Sequence, residues 1–407
     1  MPCFELDWRR LRLPAACDCT MSEEYVVKFR LEDRQEPSVV VVRTVDAEGN
    51  ITRMDQEVSG GLRVVGSTTV VAWTRDDLGY WAVAQQIEGD SEIVFPRILP
   101  PGRFGWWHVL HGVANDRSTG SQIRIGVIDE ALSVQGESSC IRHINNLADQ
   151  AWSSGPKGRA VQPMTYHSHA VCSLLTSRPF DGVGVAGVAP GADVYFAAAG
   201  EDDSPSLDPT RLANSIDMLV EEYECHLITV SAGDSKQPTD EIRFSVQAAR
   251  KRGCLCLFAA GNQGGEPFYP ARYSEVLAVG ACGRSGTTPE GSYLNVYEQM
   301  PGILGEDGLF LWRDSAYGEH VELLAAGVGT LWCINGRVAF AACGTSYASP
   351  VATGVLAVLL SSNEEYLGLG PTSKRTEMAL YSLRASCLPL GLTGAAVYGL
   401  PVALQEA

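Results

Sequence analysis

The sequence predicts an α/β protein, a parallel sheet covered by helices on both faces, preceded by a small β-rich N-terminal domain. Three observations lead there. Beyond residue 120, short and nearly continuous apolar runs alternate with helical stretches, the pattern of strands buried on both faces. Before about residue 100 only strand-like runs occur. The whole chain of 407 residues is 45% hydrophobic and 19% charged, enough apolar material for a large core and unlike a disordered chain.

The N-terminal part, 1–100, carries EYVVKFRL, SVVVVRTV, GLRVV, TTVVAW, YWAVAQQI and EIVFP, with turn signals such as Glu48-Gly49-Asn50 and Ser59-Gly60-Gly61 between them. Short strands punctuated by turns describe a small antiparallel sheet or barrel. The segment PPGRFGWWHVLHG (100–112), with its prolines, glycines and paired tryptophans, reads as a linker whose aromatic residues dock on the domain that follows, 101–407. In that domain IRIGVID, ADVYFAAA, HLITVSAG, CLCLFAAG and VLAVGAC are the strand runs, and HAVCSLLTS, LANSIDMLVEEYE, FSVQAARKRG and ATGVLAVLLSS the helical ones. A last helix is expected near Lys374–Ala385, followed by a Gly/Pro-rich apolar tail.

Charge and cysteine content narrow the function. Lys+Arg number 31 and Asp+Glu 48, a net charge of −17, which repels phosphate backbones and anionic bilayers. Nucleic acid and membrane surfaces are therefore not expected partners. The first 30 residues lack a secretory apolar core, and no apolar run approaches the roughly 20 residues that cross a bilayer, so a cytoplasmic location is expected. Among the 12 cysteines, Cys254 and Cys256 sit inside an apolar strand run and read as buried free thiols. Cys3, Cys17 and Cys19 lack the second half of a zinc site. No metal or cofactor is expected.

Four segments carry chemistry. IRIGVIDEALS (123–133) is a buried strand run ending on Asp129, where reactive groups of open α/β sheets gather; that carboxylate is placed to orient a histidine. An Asp after a strand also serves simply to close a turn. MTYHSHAVCSLL (164–175) sets His167 at the start of a helical run, as a base facing a cleft. His169 is turned about 200° away around the helix and cannot serve the same nucleophile. ACGTSYASPVATGVLAVLLSS (342–362) runs a Gly-Thr-Ser turn into a long apolar helix, so Ser346 lies on the first turn, where N–H groups and the helix dipole stabilise developing negative charge. Thr345 and Ser346 would also suit a plain helix cap. FAAGNQGGEPF (258–268) opens a buried strand into a glycine-rich loop with the Asn262 amide at its mouth, a donor fit for an oxyanion.

Taken together, IGVID, HSHAV, AAGN and GTSYASP resemble the four blocks of the subtilisin-like serine peptidase family (subtilases), in that family's Asp, His, Asn, Ser order. The resemblance runs over roughly residues 105–362. It implies a subtilisin-like fold and a serine endopeptidase with the triad Asp129, His167 and Ser346, Asn262 completing the oxyanion hole, acting on proteins or peptides through an acyl-enzyme. LITVSAG and GVGVAGVAPGADVYFAAA are similar to the family's substrate-binding edges, which implies that Ser231, Ala232 and Gly233 on one side and Gly200 on the other pair with the peptide as an added strand. Glu201, Asp202 and Asp203 beyond Gly200 are either a selector for basic side chains or a solvated loop. The loop from Arg178 to Gly184 lacks an Asn-rich calcium pattern.

The chain departs from the family beside the triad. Glu130 and Ala131 stand where Thr or Ser and then Gly usually follow the aspartate. His-Ser-His-Ala-Val-Cys-Ser replaces His-Gly-Thr-His-Val-Ala-Gly, so Ser168 occupies the place of a glycine. An α/β-hydrolase is excluded, since Ala348 breaks its Gly-x-Ser-x-Gly elbow and its chain order runs the other way. The remaining rival is a catalytically silent or self-blocked binding protein with the same fold. The N-terminal module is expected to bind a partner protein or cover the active site, and EYVVKFR also bears some likeness to the start of the family's propeptide.

Overall fold

The computed structural model describes residues 105–113, 119–130, 167–177, 186–199, 208–233, 237–287, 302–330 and 343–403 with their side chains; it adds the backbone of Tyr166 and of strands within 5–96, 144–146, 200–207 and 331–342. Cys3, Cys17, Cys19, Ala131, Asp202, Asp203 and the loop from Arg178 to Gly184 lie outside the described residues.

In the N-terminal part, β1 (Glu24–Arg30), β2 (Val39–Val45), β3 (Ile51–Glu57), β4 (Thr69–Arg75), β5 (Gly79–Gln85) and β6 (Asp90–Pro96) form one six-stranded sheet in the order β3-β2-β1-β6-β4-β5. Its neighbours are antiparallel except β4 and β6, which run parallel. The segment expected to be a linker holds a short helix, α1 (Trp106–Leu110). Its Trp106 and Trp107 are fully buried, edge to face with ring centroids 6.5 Å apart. Two such side chains remove some of the largest apolar surfaces any residue offers, which is why this segment folds onto the domain.

The main domain is built on β7 (Arg124–Asp129), β8 (Ile144–Asn146), β9 (Asp193–Ala198), β10 (Leu227–Val230), β11 (Leu255–Ala259), β12 (Leu277–Arg284), β13 (Leu309–Leu311) and β14 (Leu323–Ala326). They form an eight-stranded sheet, β8-β9-β7-β10-β11-β12-β13, with β14 also on β12. Every pairing is parallel except β12 with β13. β7 is the pivot: the chain goes next to β8 and β9 on one side, then returns to β10 on the other. The carboxyl ends of strands on either side of such a reversal open a crevice. Asp129 is the last residue of β7.

Helices α2 (Tyr166–Thr176) and α5 (Thr345–Ser361) pack together on one face of the sheet, and α3 (Pro209–Glu221) and α4 (Asp240–Lys251) on the other. Their sequences explain where they start and stop. Asp208 caps α3 by accepting the Arg211 N–H at 2.7 Å, with Pro209 as the first helical residue. Asp240 and Glu241 begin α4 while Arg250 and Lys251 end it, both signs matching the helix dipole. α5 is nearly all apolar because it runs through the core, and Gly354 is needed there: a Cβ would stand 2.7 Å from Val188 Cγ1. Between β14 and α5 the chain makes an antiparallel hairpin, β15 (Val328–Ile334) with β16 (Val338–Cys343), for which the sequence reading had no expectation.

The last helix, α6 (Ser373–Ser386), falls where it was expected. Its Arg375 is buried and donates to the carbonyls of Gly253 (2.9 Å), Arg252 (3.3 Å) and Cys225 (3.5 Å), while Thr376 Oγ1 donates to Arg250 O at 2.7 Å. Those of Arg250, Arg252 and Gly253 are carbonyls that the end of α4 leaves over, and that of Cys225 lies just before β10.

Candidate active site

Asp129, His167, Asn262 and Ser346, far apart in sequence, meet at the carboxyl end of the sheet. Asp129 is fully buried at the end of β7, and His167, the second residue of α2, has 27% of its side chain exposed. The ring donates from Nδ1 to Asp129 Oδ1 at 2.9 Å. Because a carboxylate only accepts, Nδ1 carries the proton and Nε2 of the neutral ring is the basic nitrogen. The same Oδ1 accepts the Glu130 N–H at 2.8 Å and the Ser168 hydroxyl at 3.2 Å. Tyr347 lies over the ring, centroids 5.8 Å apart.

Burial opposes a positive charge on His167, but the Asp129 charge, its hydrogen bond and the Glu130 charge together outweigh that, and the imidazole is raised above its ordinary range. Glu130, partly buried and beside Asp129, is itself raised, by desolvation first and the Asp129 charge second.

Ser346 is the second residue of α5, and its N–H is one of those that the first turn of a helix leaves without an intrahelical acceptor. Its carbonyl is exceptional too. Pro350, four residues on, has no N–H to give it, and Ser231 Oγ donates there instead at 2.8 Å. The exchange is reciprocal: Ser346 Oγ donates to the Ser231 carbonyl at 3.0 Å. The serine hydroxyl thus rests on the end of β10.

Asn262 follows β11. Its Oδ1 accepts both the Thr345 N–H (2.9 Å) and the Thr345 hydroxyl (2.7 Å), and the Thr345 oxygen in turn accepts the Gly261 N–H at 3.1 Å. With the oxygen side of the amide so occupied, the Nδ2 donor faces Gly344. A Cβ on Gly344 would sit 3.5 Å from Nδ2, and its φ of 151° lies in a range side chains rarely adopt. Glycine therefore leaves open the space beside the Asn262 amide. Nothing in the sequence signalled that Thr345 would fix this amide; a hydroxyl beside the serine had suggested only a cap.

Ser231, Ala232 and Gly233 extend from β10 and grow steadily more exposed, and Gly233, at φ 142°, comes close enough to Pro270 that a Cβ would stand 2.7 Å from its Cδ. Gly200 begins a two-residue strand with Glu201, paired with Ser204–Leu207. Among the described residues, one group has metal-ligand spacing: Glu266, Glu319 and His320, with ligand atoms within 4.8 Å of one another. It is a surface group, and Glu266 is already paired with Arg272. The described cysteines, including Cys254 and Cys256, are free thiols.

Comparison with known proteins identifies the family. Residues 120–383 match the model of the subtilase family, and the chain belongs to that family. It is 31% identical over 185 residues to the thermostable alkaline protease of Halalkalibacterium halodurans, a match that covers 45% of this chain and 44% of that protein. With the M-protease of Shouchella clausii identity is 25% over 283 residues, covering 69% and 64%. The major intracellular serine protease of Bacillus subtilis is 27% identical over 256 residues, 60% of this chain and 70% of its own. The chain thus spans less than two thirds of the first two of these relatives. Among solved structures, the prenylagaramide maturation protease PagA superposes with a TM-score of 0.52 at 22% identity, covering 70% of this chain and 92% of the other. The shared architecture is the subtilisin-like fold.

Proposed function

We propose that this protein is a serine endopeptidase that opens peptide bonds through an acyl-enzyme, with Ser346 as nucleophile, His167 as base, Asp129 as its orienting carboxylate and Asn262 as an oxyanion donor. The observation that carries this reading is the pairing of the His167–Asp129 hydrogen bond with an amide at Asn262 whose oxygen is fully engaged, so that its donor is aimed beside Ser346. The Ser346 hydroxyl leaves the Ser231 carbonyl and gives its proton to His167 Nε2 as Oγ attacks the substrate carbonyl. Charge collects on the former carbonyl oxygen, between Asn262 Nδ2 and the Ser346 N–H. The imidazolium, held by Asp129, hands the proton to the departing amine, and water repeats the sequence on the ester.

Ser231, Ala232 and Gly233 form one edge for an extended peptide and Gly200 the other, an added strand held by main-chain bonds. The reaction runs on side chains and backbone alone. We place the enzyme in the cytoplasm, a reading supported by its free thiols and by its likeness to a protease named as intracellular. Residues 1–100 act as an interaction or recruiting module, since their described residues form strands and no propeptide-like helix; N-terminal sequencing of the mature protein is expected to find these residues present. A mature chain beginning near residue 100 would overturn that role.

The activity itself is tested with a fluorophosphonate probe on the full-length protein. Labelling is expected in the wild type and not in Ser346→Ala. Absence of Ser346-dependent labelling, together with no cleavage of a mixed peptide library, would replace the peptidase with a silent binding protein.

A further inference from the structure

A hydroxyl sits within the triad where the sequence pattern of the family puts a glycine. Ser168 is buried on the first turn of α2, directly after His167, and donates to Asp129 Oδ1 at 3.2 Å, the same oxygen that takes the His167 Nδ1–H at 2.9 Å. At residue 130, where that pattern has a hydroxyl, stands Glu130, whose backbone N–H at 2.8 Å is the third donor to this oxygen. The hydroxyl has in effect moved from the residue after the aspartate to the residue after the histidine.

We propose that Ser168 is a positioning residue of the triad, which fixes the Asp129 carboxylate towards His167 and takes a share of its negative charge. The proposal rests on the peptidase reading of this site. Three donors on one oxygen hold the carboxylate plane that the imidazole must meet, and each donor withdraws part of the charge that would otherwise favour the imidazolium. Among the described residues, the other titratable groups facing this pair are Glu130 after β7, Cys172 on α2 and Tyr347 on α5. Burial pushes the Cys172 thiol and the Tyr347 phenol well up, so both stay neutral across a neutral assay range. Among the described residues, Glu130 is the one nearby group that adds negative charge, and Ser168 works against it.

The test uses the full-length chain with Ser168→Ala, Ser168→Gly and Ser168→Thr. With a chromogenic peptide, the acid limb of kcat/KM is expected to move up by about 0.5 to 1 pH unit in the Ala and Gly variants. At its plateau kcat falls several-fold while KM holds, and Thr restores both limb and plateau. A second readout needs no turnover: in a Ser346→Ala background, titration of the His167 ring by NMR is expected to show the same upward move when Ser168 is replaced. An unmoved midpoint in folded Ser168→Ala protein, or a loss of kcat that Thr fails to restore, would overturn the role. If the wild type neither labels nor cleaves, the peptidase reading fails, while the titration still decides whether Ser168 tunes the pair.

Discussion

At the scale of single residues, the site is controlled by which oxygen each donor reaches. Asp129 Oδ1 collects His167, Ser168 and Glu130, and the imidazole is raised because Asp129 and Glu130 outweigh its burial. As a base it must be neutral, so activity should rise with pH through an apparent value above the ordinary 6.5 of histidine. Replacing Glu130 with Gln removes a negative charge from the ring's surroundings, and the acid limb of kcat/KM is expected to move down; pH profiles of the two proteins check it. Asn262 and Ser346 were legible in the sequence because whole blocks surround them, AAGN and GTSYASP. The reciprocal bonds between Ser231 and Ser346 were not, since they join residues 115 apart and depend on Pro350 withholding an N–H.

At the scale of elements, the site stands on strand ends and helix starts, and these are held by contacts elsewhere. Ser231 and Asn262 follow β10 and β11, whose other ends are tied down by α6. Arg375 reaches carbonyls at Cys225, Arg252 and Gly253, before β10 and before β11. Arg375→Ala strands two buried carbonyls and a half-buried one, and a loss of about 2–3 kcal/mol in unfolding free energy is expected, read by denaturant titration of the Ser346→Ala protein. The helices were readable from Asp208-Pro209 and from the charge order of α4. The hairpin β15–β16 has no marked pattern in the sequence, and the residues of α1 read there as a linker. A five-residue helix has too little pattern to announce itself, and its tryptophans form it by being buried.

For the whole molecule, buried titratable groups set how folding depends on pH. His108 and His226 are pushed down to about 3 and His111 to about 4, all by burial foremost. His111 shows why neutrality matters: its Nδ1 donates to Pro401 O at 2.7 Å and its Nε2 accepts the Ala326 N–H at 3.2 Å, linking α1, β14 and the C-terminal tail. A histidine depressed in the folded state contributes stability that is present above its unfolded value near 6.5 and lost as pH falls towards the folded one. Glu322 acts in the opposite sense. Desolvation raises it to about 7 although it accepts the Ala278 N–H at 2.7 Å, so it costs stability as pH rises from 4.5. Between pH 4.5 and 6, these three histidines against Glu322 leave a net two protons, a gain of about 2.7 kcal/mol per pH unit on going up, which Glu130 and Asp217, carboxyls raised by burial, reduce in part. Denaturant titrations of Ser346→Ala at pH 5, 5.5 and 6 measure that slope; a flat response would mean that these groups are not buried as described.

By itself the sequence determined the parallel α/β architecture, the choice of Asp129, His167, Asn262 and Ser346 as the residues that come together at the sheet's carboxyl end, and the thiol character of Cys254 and Cys256, because each is written in a contiguous run of residues or in the order of such runs. Only the tertiary structure decided how those groups are held. Ser168 on Asp129, Thr345 on Asn262, Ser231 on Ser346 and Arg375 on the ends of two strands are all hydrogen bonds from one polar side chain to a group on another segment, and a lone hydroxyl or guanidinium has no pattern that says where it points. The parallel sheet supplies the reason both halves hold: strand runs predict which residues end at the crevice, and the packing of helices against those ends selects their partners.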